Sequence, residues 1–131
     1  MEWLPKAAST VLTYGYLGYF NGSGYIIDAD STSGDHVGII MRAVAATDSD
    51  YATTGAKIPV DFLSPGDVVE ADVTGTLTVA MVGNMYDLSN GGTVNVGAQS
   101  KNVVTCVGFI SATKGLFKVN SMIANLRVAT T

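Results

Sequence analysis

Charge is what this sequence has least of. Lys and Arg number 7 and Asp and Glu 11 among 131 residues, 14% of the chain, where ordinary globular usage of about 25% would give roughly 33 charged residues. The hydrophobic fraction of 47% is ordinary, so Gly, Thr, Ser and Asn stand where charges are missing. Disorder, which needs low hydrophobicity with high net charge, is excluded. A net charge of −4 and a pI near 4.6 leave no basic footprint for phosphates, which excludes a nucleic-acid binder. Histidine and cysteine are equally scarce. One His and one Cys cannot build a Cys/His zinc site within one chain. The lone Cys106 cannot form an internal disulfide, and inside the apolar run 103–110 it reads as a small buried hydrophobe, compatible with synthesis in a reducing cytoplasm. Long apolar runs are missing too. Mean hydropathy is positive, yet no segment approaches 18 consecutive apolar residues, so no membrane partner is expected. Residues 1–6 lack a basic stretch followed by an apolar one, so no signal peptide is expected.

What is present alternates. The length fits one domain, able to bury roughly two-thirds of its unfolded surface without disulfides or metal. Residues 1–13 hold Pro5 and small residues with no sustained period, and read as an extended arm. Residues 14–20 and 25–27 flank Asn21-Gly22-Ser23-Gly24, a hairpin signal because Asn and Gly accept positive φ. Residues 28–35 form a polar loop, and the apolar run 37–44 is followed by the polar stretch 47–55. Ile58, Val60 and Phe62 then share one face, and Pro59 assigns that strand to an edge or a bulge. Ser64-Pro65-Gly66-Asp67 has β-turn chemistry.

Val69, Ala71 and Val73 alternate with Glu70 and Asp72, and Leu77, Val79 and Met81 repeat the pattern as another half-buried strand. Asn90-Gly91-Gly92 signals a hairpin between residues 85–88 and 93–96. Residues 103–110, apolar on both faces, predict a central strand covered on both sides, and Thr113-Lys114-Gly115 turns the chain into 116–119. Met122, Ala124, Leu126 and Val128 alternate as a last strand, with a short helix at 121–127 as the alternative. Eight to ten short strands without a helical period predict an all-β barrel or sandwich over residues 14–131, carrying the 1–13 arm.

Candidate chemistry is sparse. His36, the sole imidazole, lies in a Ser33-Gly34-Asp35-His36 loop with nothing to mark a nucleophile elbow. Asp28 and Asp30 open a run like a calcium loop, but position 6 is Ser33 instead of Gly and position 12 is Ile39 instead of Glu, so a solvated Asp-rich loop is the reading. Gly22-Ser23-Gly24 completes no phosphate loop. Asn21-Gly22-Ser23 matches a glycosylation acceptor in form, but its turn chemistry is the stronger signal. No carboxylate pair is singled out for glycoside hydrolysis. No catalytic residue, cofactor or metal is therefore expected.

The aromatic residues say more. Tyr14, Tyr16, Tyr19 and Tyr25 crowd one hairpin with Phe20, either packed across strands or offered to another chain. Trp3 sits in the arm and is expected to dock on another surface. With Leu4, Val11 and Leu12 these make the candidate partner interface, and residues 1–27 carry only Glu2 and Lys6 as charges. Charge also segregates along the chain: residues 1–73 hold ten acids and three bases, and 74–131 hold one acid and four bases. Head-to-tail packing of unlike surfaces is one consequence, and Asp-rich turns are a blander explanation.

From Ile58 to Val119 the chain resembles the head decoration (cement) proteins of tailed bacteriophages. The resemblance lies in the turn Ser64-Pro65-Gly66-Asp67 feeding Val68-Val69, in Gly75-Thr76-Leu77-Thr78, in Val82-Gly83-Asn84-Met85-Tyr86-Asp87-Leu88 before the Asn-Gly-Gly turn, and in Cys106-Val107-Gly108-Phe109-Ile110 before a terminal strand. It implies a β-tulip-like barrel with an extended arm and a homotrimer docked at local threefold positions of a capsid shell. It further implies the major capsid protein as partner, the virion as location after synthesis in the host cytoplasm, and no chemistry. The Tyr-rich 14–25 hairpin departs from the shortest such proteins. A carbohydrate- or cell-surface-binding module with the Tyr cluster as platform, or a tail or adhesin subunit, are the alternatives.

Overall fold

Short alternating runs punctuated by Gly and Asn leave the chain little choice but strands. A computed structural model describes residues 1–31, 38–64 and 66–120. The protein is all-β. The strands are β1 (Glu2–Pro5), β2 (Leu17–Phe20), β3 (Ile26–Asp28), β4 (Gly38–Ile40), β5 (Lys57–Phe62), β6 (Val68–Thr74), β7 (Met85–Asn90), β8 (Thr93–Asn95), β9 (Val104–Ser111) and β10 (Lys114–Val119), with one 3-10 turn at Val79–Met81. The first five form an antiparallel sheet in the order β1-β5-β4-β2-β3. The last five close into a barrel, β10-β6-β8-β7-β9.

Each unit has its own core. Leu12, Ile26, Ile40, Val44, Ile58 and Val60 fill the sheet side, with Leu4 and Phe20 packed against them. Leu77, Tyr86, Leu88, Val94, Val103, Val104, Cys106 and Phe117 fill the barrel, joined by Leu17 and Ala29 from the β2–β3 region. Each such side chain contributes about 1.5–3 kcal/mol by leaving water. Leu17 therefore ties the two units together, and its N–H bonds the Gly91 carbonyl at 2.8 Å.

The hairpins form where turn chemistry asked for them. Phe20 pairs with Ile26 across the Asn21 turn, where the Asn21 side-chain oxygen accepts from the Ser23 and Tyr25 N–H groups. Along β6 exposure alternates residue by residue, with Val69, Ala71 and Val73 on the covered face. Cys106 is fully buried.

Several expectations change. Residues 1–13 are extended, but they run along their own chain: β1 pairs with β5, and Leu12 bridges to Val44. Pro59 lies neither at an edge nor at a bulge, because β5 sits between β1 and β4. Its carbonyl accepts from Met41, just past the end of β4. The missing N–H thus falls where that ladder stops, and a short terminal gap is tolerated.

Residues 77–81 make no strand. The Met81 and Val82 N–H groups turn back to Thr78 and Val79, so Leu77 enters the core while Val79 is 67% exposed. Nor is β9 covered along its length: Val104 and Cys106 are buried, but Val107, Phe109 and Ile110, in the stretch where the register with β10 shifts, are exposed. The 121–127 helix-or-strand reading, and His36 with most of its loop, lie outside the described residues.

Gly91 and Gly92 also differ from a simple turn signal. Neither has a positive φ. A Cβ on Gly91 would lie 2.8 Å from the Tyr16 Cβ, and one on Gly92 would lie 2.7 Å from its Cε1. The glycines are there because the Tyr16 ring lies across them.

Candidate functional site

The tyrosine hairpin leads into β2 through a tight turn. Tyr16 N–H bonds the Thr13 carbonyl at 3.2 Å, with Gly15 at φ +86° in the third position, the geometry of a type II turn that only glycine adopts without strain. The Thr13 N–H and hydroxyl both donate to the Asp28 carboxylate, at 3.1 and 2.8 Å. Gly15 N–H bonds Ile40. Burial raises the Asp28 pKa, opposed by the two Thr13 bonds. Tyr14, at the tip of this anchored turn, stays 62% exposed.

Beneath it lies a cleft of about 220 Å³ between sheet and barrel. Tyr14, Tyr16, Leu17 and Ile39 form one side, and Val69, Glu70, Ala71, Leu88, Thr93 and Val94 line the barrel wall. The cleft lies where β6 runs on beyond the start of β8. Their parallel pairing covers only Asp72, Val73 and Thr74 against Thr93, Val94 and Asn95. Val73 N–H bonds Thr113, so by the alternation of an antiparallel ladder Val69 and Ala71 also turn their main-chain groups to β10. The Glu70 N–H and C=O face the gap instead. Its carboxylate, 56% exposed, is held by Lys114 at 3.4 Å.

A second surface runs along the barrel. Leu77 N–H bonds Ala112 and Gly83 N–H bonds Cys106, so residues 77–84 lie antiparallel beside β9. Val79 and Val82 come next to Val107, Phe109 and Ile110, with Met85 at the end, and each of the six is at least 41% exposed. Residues 73–86 and 102–113 contain no charged side chain. Sequence reasoning missed this seam, although two uncharged stretches this long in a charge-poor chain were the signal.

The nine candidate interface residues separate. Trp3, Val11 and Tyr14 are exposed. Tyr16 floors the cleft, and Tyr19 packs against the barrel core. Leu12 is 1% exposed, and Leu4 and Phe20 pack on the same sheet core, so these three serve their own chain. Tyr25 is half-buried. Among the described residues, no group of three His, Cys, Asp or Glu side chains could hold a metal ion. No family model, curated protein or solved structure matches this chain.

Proposed function

We propose that this protein is a non-enzymatic structural subunit of a virion, a decoration protein that binds the outer surface of a phage capsid as a homotrimer and braces neighbouring capsomers. One observation carries the reading: an uncharged seam of six exposed apolar side chains on a barrel that has a buried core of its own. Patches of that kind are characteristic of surfaces covered by another chain. Interfaces between identical subunits are more apolar than transient ones, so the seam suits contact between copies. The acidic sheet side, where most carboxylates lie, suits the more polar attachment to the major capsid protein. The sequence resemblance supplies the capsid as partner.

Mixing the purified protein with shells assembled from the major capsid protein of the genome that carries it, then sedimenting, tests the reading. Saturable binding at about one trimer per local threefold site is expected. A protein that stays in the supernatant at all concentrations overturns it.

A further inference from the structure

The cleft under Tyr14 has chemistry that assembly does not use. It is built to stay open: the turn presenting Tyr14 is fixed by Asp28 and Ile40, and the glycine floor beneath Tyr16 admits no side chain. A volume of about 220 Å³ equals the liquid share of about seven waters. That is the size of one six-membered ring with its substituents, and below the roughly 300 Å³ where drug-sized pockets begin.

Its walls ask for a ligand with two kinds of surface. The aromatic faces of Tyr14 and Tyr16 and the aliphatic Ile39, Val69 and Leu88 suit a face of C–H groups. The Glu70 carbonyl, which faces the gap, accepts hydrogen bonds and its N–H donates, and the Thr93 hydroxyl does both. A hydrocarbon ring would leave those polar groups unpaired. Glu70 and Asp72 share the one Lys114 ammonium, at 3.4 and 3.7 Å, with carboxylates 56% and 68% exposed, so the rim is weakly negative: it disfavours an anion and offers a cation only a screened contact that is already engaged. We propose that this cleft binds a single neutral pyranose, the terminal sugar of a glycan, with its C–H face on Tyr14 and its hydroxyls on Glu70 and Thr93.

Saturation-transfer NMR on the full chain with methyl glycosides of glucose, galactose, mannose and N-acetylglucosamine tests this. At least one sugar receives saturation on the C–H protons of one ring face, Tyr14→Phe retains it, and Tyr14→Ala weakens binding about tenfold or more. Tyr14 is exposed, so an unchanged melting curve for the alanine variant shows that the fold is intact. Silence from all four sugars overturns the proposal, and so does equal transfer in wild type and Tyr14→Ala. Capture of an extended peptide along the Glu70 edge, with every sugar silent, assigns the gap to strand addition and overturns it as well. Capsid binding is read separately, so failure of one assay leaves the other interpretable.

Discussion

Among the described residues, the sheet and the barrel each bury one charged group, opposite in sign, and each wraps a loop around it. In the sheet, Lys6 is fully buried, and its ammonium donates to the carbonyls of Ala7, Tyr51 and Thr53 at 3.1, 2.8 and 3.2 Å. In the barrel, Asp87 is 4% exposed and accepts from Ser100 N–H and hydroxyl, Lys101 N–H and Asn102 N–H. Neither meets a charge of opposite sign in these bonds. A buried ion is tolerable when its hydrogen-bonding capacity is filled. Here main-chain groups of irregular segments, joined by the Ser100 hydroxyl, fill it, so each ion organises a loop that no ladder reaches.

The two surfaces differ as sharply. The sheet side carries carboxylates and one bidentate Arg42–Asp50 pair; the barrel side presents the uncharged seam. Short of charge as it is, the chain places two ionic groups in the interior among its described residues and keeps the seam uncharged.

Breaking the buried ions should give the largest effects. Lys6→Met keeps most of the volume but strands three carbonyls, each costing about 1–3 kcal/mol if left dry. A loss of about 3 kcal/mol or more, read from denaturant midpoints, is expected. Asp87→Asn keeps one acceptor oxygen and turns an NH₂ toward N–H donors, for about 2 kcal/mol. Gly92→Ala, whose Cβ meets the Tyr16 ring, should cost about 1–2 kcal/mol and distort the cleft.

The pH dependence distinguishes two carboxylates. Burial pushes the Asp87 pKa up, but the bonds from Asn102, Ser100 and Lys101 outweigh it and hold the value below normal. A depressed native pKa means that its stabilisation is complete above the ordinary Asp range and is lost as pH falls through the native value. Asp28, raised by burial, acts oppositely: its contribution is complete below the ordinary range and fades as pH rises through the native value. Melting curves from neutral to acid pH should therefore be flatter for Asp87→Asn than for wild type, and steeper for Asp28→Asn.

Much of this fold was legible because its signals are local. The Asn21 hairpin, the Asn90 hairpin and the alternation of β6 are set by residues a few positions apart. Long-range partners were not. Nothing near residue 6 announces that carbonyls 45 and 47 positions away will bury its ammonium, and Lys6 reads as an ordinary surface charge. Leu12 looked like an arm residue because its partner Val44 belongs to another element. Residues 77–81 alternate like a strand and lie beside β9, but the Met81 and Val82 N–H groups turn back to Thr78 and Val79, a local turn that periodicity does not foretell. The Tyr14–Tyr16 pair was visible as an aromatic cluster; that it lines a cleft with Glu70 and Thr93 follows only from where β8 begins beside β6.

The smallest effect on stability belongs to the seam, and there the proposed role is most exposed to test. Phe109→Ser and Ile110→Ser alter side chains that are 41% and 46% exposed, so each should shift unfolding by only about 1 kcal/mol. Sedimentation velocity on wild type and on the double variant then decides the matter. The account predicts a wild-type species of three times the 13.6 kDa chain mass that falls to monomer in the variant while the fold persists. A wild-type protein that sediments as a monomer across all concentrations would contradict it.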